Sequence, residues 1–305
     1  MTNGAIGEGA KSASWKKRPT RLRDNNVFYK KGIVRLMTET APKGLQSHEI
    51  IELGEAVKLL ENQGFAALLS NIGGKPIVKL LEVVPGSMKR KLDKAVQKTM
   101  LQCLDVAVNS LETAQKAPPK RKLTTLVSTI TGGVSGMFGM ASLPVELPFS
   151  TVLTLRSIAE IARSHGENLQ LMQSKLACME VLALGAPSSD NGSVSSYFTS
   201  RRGFAKYSNE AGQILAEHGV SAAASPAVNG FISEIATRFS AVVYERAAAG
   251  AVPLVGVIGG AASSAIFMNY FQELAQGHFI VRKLEKIYGP ELIEKEYMQI
   301  LKNQL

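Results

Sequence analysis

The sequence predicts an all-α protein, a compact bundle of many helices in which two apolar helices rich in Gly and Ala lie at the centre. Hydrophobic residues make up 45% of the chain but aromatic residues only 6%. A core built from Leu, Ile, Val, Ala and Gly suits close helix packing better than a β-sandwich. Two long tracts, 123–145 and 247–272, contain no charged residue. Each has glycines four residues apart, and that spacing lets two helices approach closely.

The apolar residues repeat at helical spacing along most of the chain. They predict helices over 47–69, 87–114, 148–164, 176–184, 207–218 and 228–245, then over the second tract from Pro253, and finally over 279–288 and 290–305. Glycine or proline stands at most helix ends, such as Gly73 after the first helix and Pro148 at the start of the third. Two prolines mark a linker at 117–122, and a stretch rich in Ser, Asn and Gly predicts a surface loop over 188–203. Thr and Val leave helix and strand open over 123–131.

The first 40 residues predict a basic, partly disordered arm before a helical domain at 41–305. Residues 1–35 contain nine Lys or Arg and two acidic residues. Such an arm attracts anionic lipid headgroups, or it is a solvated tail. A second basic cluster opens the helix over 87–114, where it binds an acidic partner or forms a solvated face. We expect an anionic surface to contact Lys16, Lys17, Arg18, Arg21, Arg23, Lys89, Arg90 and Lys91.

The segment 252–271 has about the 20 residues that a membrane span requires. Gly, Ala and Ser lower its apolarity, so we expect a buried core helix there rather than a span. No apolar run follows the basic arm, which argues against a secretory signal. Cys103 and Cys178 lie in apolar helical patterns typical of buried thiols. We therefore expect a cytoplasmic protein that associates peripherally with a membrane.

Three residues are candidates for catalysis: Glu146, Glu180 and His278. Every other residue around Glu180 is apolar, so we expect its carboxyl group to be buried and its pKa raised. It is then either a functional acid or half of a structural ion pair, with Arg156 as the expected partner and Glu160 as a further member. Glu146 stands between two prolines, where it either enters a cavity or caps the following helix.

Several chemistries have no support in the sequence. The four histidines show no HExxH spacing, so no metal site is predicted. The chain has no GxSxG elbow, phosphate-binding loop or dinucleotide fingerprint, so no cofactor is predicted. Beyond its basic arm, the chain has no motif for specific binding of nucleic acid.

Three segments together carry a resemblance: LPVELPFSTVLTLRSIAEIARSHGENL (143–169), LACMEVLALG (176–185) and VPLVGVIGGAASSAIFMNYFQELAQGHFIVRKLEKIYG (252–289). Their order resembles the EcsC family of bacterial proteins, from about residue 47 onward. The family takes its name from a gene beside an ABC transporter, so the resemblance implies a membrane-associated role. Within the motifs it points to Glu146, Arg156, Glu160, Glu180, Gly256, Gly260, Asn269, His278 and Arg282 without assigning their roles.

These observations lead to one main hypothesis and two alternatives. We expect a protein that binds lipid or an anionic membrane surface and is accessory to a transport or envelope process, with a membrane transporter component as a candidate partner. The residues expected to face lipid are Gly132, Gly136, Gly256, Gly260, Phe267 and Asn269. One alternative is a hydrolase in which Glu180 or Glu146 serves as general acid or base, assisted by His278 or Arg156. The other is a module that binds a protein partner through an exposed apolar patch.

Overall fold

The computed structural model describes residues 44–61, 64–73, 84–111, 142–186, 195–250 and 253–304. Within these ranges the chain forms nine α-helices and a short 3₁₀ helix at Gly219–Ala224, without a strand. The helices are α1 (Ser47–Leu60), α2 (Phe65–Gly73), α3 (Gly86–Ser110), α4 (Leu143–Ser164), α5 (Met172–Leu184), α6 (Ser196–His218), α7 (Pro226–Gly250), α8 (Pro253–Tyr288) and α9 (Pro290–Gln304). The prediction of an all-α bundle is confirmed.

Helix α8 is the centre of the bundle. It has 36 residues and packs against α1, α2, α4, α5, α7 and α9. Its buried aromatic residues meet those of α7: Phe267 and Phe271 lie with ring centroids 4.9 Å apart, and both contact Phe239. The second glycine-rich tract therefore belongs to a central helix, as predicted. Among the described residues, no helix combines the length and the apolarity that crossing a bilayer requires.

The contacts between helices define two ends of the bundle. Near the end of α7, Arg246 bonds Glu146 at the start of α4 and Ser264 of α8, and Tyr244 bonds Asp93 in the first half of α3. The first turns of α3, α4 and α8 and the last turns of α7 thus form what we call the tract end. From Ser264 to Pro253, α8 continues for 11 residues, about 16 Å at the helical rise of about 1.5 Å per residue.

The opposite end, which we call the ion-pair end, contains the last turns of α8 and the start of α9. There Arg282 of α8 bonds Glu167, in the connection between α4 and α5. Lys175 of α5 donates to the carbonyl oxygen of Val108, near the end of α3. Helices α3, α4 and α8 therefore run in the same general direction, from the tract end to the ion-pair end.

Two helices begin earlier than the sequence predicted. Helix α4 starts at Leu143, with Pro148 inside it. A proline so close to a helix start removes one hydrogen bond, which the helix tolerates. Helix α6 starts at Ser196, so the predicted surface loop is wrong over 195–203. There the Ser195 hydroxyl accepts from the N–H of Phe198, and the Glu61 carboxylate accepts from the Ser196 N–H. Because Glu61 lies 135 residues away, the local composition could not reveal this cap.

The remaining differences between prediction and structure concern where one helix ends and the next begins. The predicted helix over 47–69 is two helices, α1 and α2, and the predicted helix over 279–288 is the last part of the continuous α8. Several sequence predictions lie outside the described residues: the basic arm, the linker at 117–122, Gly132, Gly136 and the first part of the predicted loop.

Candidate functional site

The first half of α3 presents a strip of exposed basic side chains at the tract end. Arg90, Lys91, Lys94 and Lys98 are exposed, and Lys89 is half-buried. They lie opposite the buried residues of the same helix, such as Leu92 and Val96. The only carboxylate of residues 86–98 is that of Asp93, which accepts a hydrogen bond from the Tyr244 hydroxyl. The strip is therefore a positively charged surface, and we call it the basic strip.

Exposed apolar side chains lie on the neighbouring helix. Val145 is 83% exposed and Phe149 is 51% exposed. They stand four residues apart in the first two turns of α4, so they share one helix face. Helix α4 packs against α3, which brings this face and the basic strip to the same end of the molecule. Val145 and Phe149 thus form a small exposed apolar face at the end of the molecule where the basic strip lies.

Behind this surface, a buried ion pair joins α4, α7 and α8. Arg246 is only 4% exposed, and its Nη2 donates to Glu146 Oε1 at 2.5 Å and to Ser264 Oγ at 2.8 Å. Its guanidinium also stacks on Phe267, with Cζ 4.8 Å from the ring centroid. Glu146 therefore serves as the partner of a buried arginine. The sequence analysis missed Arg246, although a charged residue in the apolar second half of α7 was a usable signal.

The residue next to Arg246 is Glu245, a buried carboxyl group with no ion pair among the described residues. Glu245 is 5% exposed, and its Oε2 has no hydrogen-bond partner in that part of the chain. Burial raises the pKa of Glu245 to about 7, and a hydrogen bond from the N–H of Ala66 opposes this rise. The sequence analysis did not single out Glu245 either.

The structure replaces the expected partner of Glu180. Arg156 lies exposed on α4, which is incompatible with a buried pair, and Glu180 instead accepts from Ser208 Oγ at 2.5 Å. Burial raises the pKa of Glu180, while the Ser208 hydrogen bond and the charges of Arg282 and Arg201 lower it. The raised pKa agrees with the sequence expectation. Glu160, the other expected member of the pair, is half-buried on α4.

His278 is fully enclosed in the core. Its Nδ1 lies 3.0 Å from the Tyr197 hydroxyl, and its Nε2 has no hydrogen-bond partner within the ranges that the structure describes. Burial, with Arg201 and Arg282 nearby, holds its pKa well below the ordinary value, so the ring is neutral near pH 7. A neutral and inaccessible imidazole of this kind suits a structural contact better than proton exchange with a substrate.

Glu167 organises the ion-pair end. Its side chain is 2% exposed, and it accepts from Arg282 Nε at 2.8 Å, from Lys286 Nζ at 2.9 Å and from Ser174 Oγ at 2.6 Å. Burial alone raises the pKa of this carboxyl group, but the three donors outweigh burial and hold the pKa at about 2. Glu167 thus ties the connection between α4 and α5 to α8. The sequence analysis had placed Arg282 in a family motif but had given it no partner.

Among the described residues, the three candidate catalytic residues form no hydrogen bond with one another, although the charges of Arg201 and Arg282 act on both Glu180 and His278. Glu146 bonds Arg246, Glu180 bonds Ser208 and His278 contacts Tyr197. Over the described part of the chain, no group of three or more His, Cys, Asp or Glu residues could hold a metal ion.

The residues that were expected to face lipid lie in different parts of the structure. Phe267 is 1% exposed and packs in the aromatic core, so its predicted ligand-facing position is wrong. Asn269 is exposed on α8. Gly256 and Gly260 lie in the first turns of α8, at the tract end.

The comparisons with known proteins agree with the resemblance in the sequence. The profile of the EcsC protein family matches residues 47–284, which include all helices from α1 to most of α8. No curated protein and no solved structure matches the chain. Because the match spans well over half of the sequence, the chain belongs to the EcsC protein family.

Proposed function

We propose that the protein is a peripheral membrane protein that docks on anionic lipid through its tract end. The observation that carries this proposal is that the basic strip and the exposed pair of Val145 and Phe149 lie at the same end of the bundle. Basic side chains attract anionic headgroups while apolar side chains enter the interface, which is how proteins bind a membrane without spanning it.

The binding free energies expected from these side chains favour reversible docking. Each Lys or Arg near an anionic surface contributes about 1 kcal/mol, so the four exposed residues of the strip support weak binding by themselves. The apolar side chains of Val145 and Phe149 add to this when they leave water. The uncharged first turns of α8 begin at the same end. The basic arm, at 1–40 in the sequence, supplies a further positive segment.

This proposal keeps the membrane surface of the sequence hypothesis and does not use Phe267 as a lipid-facing residue, because Phe267 packs in the core. An accessory role beside a transporter remains compatible with it, since a transporter offers the same membrane surface. The hydrolase alternative gains no support from Glu146, Glu180 and His278, each of which has a separate partner.

Sedimentation of the full chain with vesicles tests the electrostatic part. We expect binding to vesicles of phosphatidylcholine mixed with phosphatidylglycerol, and little binding to phosphatidylcholine alone. The double variant Lys91→Glu/Lys94→Glu should weaken binding roughly 10-fold or more, because about 1 kcal/mol is lost with each cation and the new carboxylates repel the surface. The matched control Lys295→Glu/Lys302→Glu changes the net charge by the same amount, at exposed residues of α9.

Equal loss in the two double variants would mean that net charge alone drives binding, and the tract end would not be the docking surface. The apolar part is tested by Phe149→Ser, with Leu171→Ser as the control. Leu171 is 57% exposed near the ion-pair end. We expect only Phe149→Ser to lower the binding that persists at high salt, where screening removes the electrostatic contribution.

A further inference from the structure

A small pocket opens at the ion-pair end, between α6 and the junction of α8 and α9. Its volume is about 180 Å³, which is the space of roughly six water molecules at about 30 Å³ each. One face of α6 contributes Phe198, Arg201, Arg202 and Ala205, and the facing helices contribute Glu285 and Glu294. None of these residues belongs to the tract end, so this pocket is independent of the proposed membrane function.

The floor of the pocket is a fixed ion pair. Arg201 donates from Nη1 and Nη2 to the two oxygens of Glu285 at 2.6 and 3.0 Å, and the two side chains are 22% and 11% exposed. The guanidinium also lies over the rings of Tyr197 and Phe198. Glu285 takes two of the five N–H donors that a guanidinium carries. The arginine is thus held in place with donors left to offer.

The rim of the pocket is a second ion pair of a different kind. Arg202 Nη1 lies 3.0 Å from Glu294 Oε1, and these side chains are 63% and 39% exposed. An exposed pair of this type contributes only about 0–1 kcal/mol to stability. A ligand that offers both charges can therefore separate Arg202 from Glu294 at small cost.

We propose that this pocket binds a small zwitterion that carries a phosphate or carboxylate group and an ammonium group. The pocket contains two cations and two anions, so a simple anion meets the two carboxylates and a simple cation meets the two guanidiniums. A zwitterion satisfies both: its anionic group binds Arg202 and the remaining donors of Arg201, and its ammonium group binds Glu294. Phe198, Ala205 and Pro290 supply apolar wall for the carbons between the charges.

Such a ligand has two sources, a free molecule or the headgroup of a lipid such as phosphatidylethanolamine. The shared chemistry is the ammonium group a few bonds from the anion. O-phosphoethanolamine is a suitable probe because it contains both groups, and inorganic phosphate and ethanolamine are its two halves.

The test is ligand-observed NMR titration of the full chain with these three probes. We expect O-phosphoethanolamine to bind at least roughly 10-fold more tightly than either half. Arg202→Gln and Glu294→Gln should each weaken its binding by a similar factor. An exposed or half-exposed ion pair of this kind contributes little to stability, so both variants should keep the thermal stability of the parent. Glu234→Gln is the control, because it removes the partner of Arg238 from a half-exposed pair on α7, outside the pocket.

Equal binding of phosphate and the zwitterion, no binding of any probe, or an equal loss in the Glu234→Gln control would overturn the proposal. Competition by vesicles distinguishes the two sources. If vesicles with phosphatidylethanolamine displace the probe and vesicles of phosphatidylcholine do not, the ligand is a headgroup, and the ion-pair end also contacts a membrane. If neither displaces it, the ligand is a free molecule.

Discussion

Glu167 and Glu245 are both buried, but they lie at opposite ends of the bundle and in opposite surroundings. Glu167 at the ion-pair end accepts from Arg282, Lys286 and Ser174, and its pKa falls to about 2. Glu245 at the tract end has one oxygen without a hydrogen-bond partner among the described residues, and burial raises its pKa to about 7. Burial is common to both, so the partners decide which form of the carboxyl group the fold favours.

The same contrast extends to the ion pairs around them. At the ion-pair end, Glu167 has several donors and keeps others when one is removed. At the tract end, Glu146 relies on Arg246, with Ser264 Oγ more distant at 3.2 Å. Glu167 thus keeps two donors when one is removed, whereas Glu146 keeps only the Ser264 hydroxyl among the described residues when Arg246 is removed. A docking surface benefits from that arrangement, because local opening requires the loss of few contacts.

The largest expected effect is that of removing the single pair at the tract end. Arg246→Met leaves Glu146 without its cation and should lower the free energy of unfolding by about 3–5 kcal/mol, the range for breaking a buried pair. Arg282→Met should cost less, about 1–3 kcal/mol, because Glu167 keeps Lys286 and Ser174. Urea unfolding of both variants measures the difference. Equal losses would show that the two ends do not differ in redundancy.

The acid side of the stability curve should report Glu167. Its pKa is about 2 in the folded protein against an ordinary value of 4.5, so its contribution is complete above pH 4.5 and is lost as the pH falls toward 2. The contribution amounts to about 3 kcal/mol, from about 1.36 kcal/mol per pKa unit. We expect the stability gap between the parent and Glu167→Gln to shrink by that amount over this interval. A constant gap would contradict the lowered pKa.

Glu245 should give the opposite slope. Its pKa is about 7 when folded against 4.5 ordinarily, so the folded protein binds more protons and its stability falls as the pH rises from 4.5 to 7. Relative to the parent, Glu245→Gln should gain about 2–3 kcal/mol across that interval, again at about 1.36 kcal/mol per unit. Chemical unfolding at a series of pH values measures this gain. The idea fails if the variant and the parent keep parallel pH profiles between these values.

The sequence could predict the helices, the central position of the second tract and the raised pKa of Glu180, because periodicity and local apolarity carry that information. It could not predict partners that lie far along the chain. Arg246 is 100 residues from Glu146. Arg156 was the wrong partner for Glu180, because the sequence does not show which distant residues lie close together once the helices pack. Glu245 was missed for a related reason, since its burial is visible only after the helices are packed.

Glycine spacing gives the smallest and last test of the comparison. The sequence analysis expected close helix approach at Gly256 and Gly260, and the surroundings of these two glycines lie outside what the structure describes. Among the helical glycines whose surroundings are described, the tightest approach is at Gly277, toward the ion-pair end. A Cβ there would lie 2.7 Å from Leu60 Cγ and 3.2 Å from the carbonyl oxygen of Ala56.

Gly277→Ala should therefore force α1 away from α8 and cost about 1–3 kcal/mol, as overpacking does. Gly54 lies in the interior of α1 with nothing within 4 Å of its added Cβ, so Gly54→Ala should stabilise the protein by about 0.5–1 kcal/mol through helix propensity. Thermal unfolding of the two variants should show shifts of opposite sign. If Gly277→Ala were also stabilising, α1 would be able to move at no cost, and the close packing of the ion-pair half would not contribute to its rigidity.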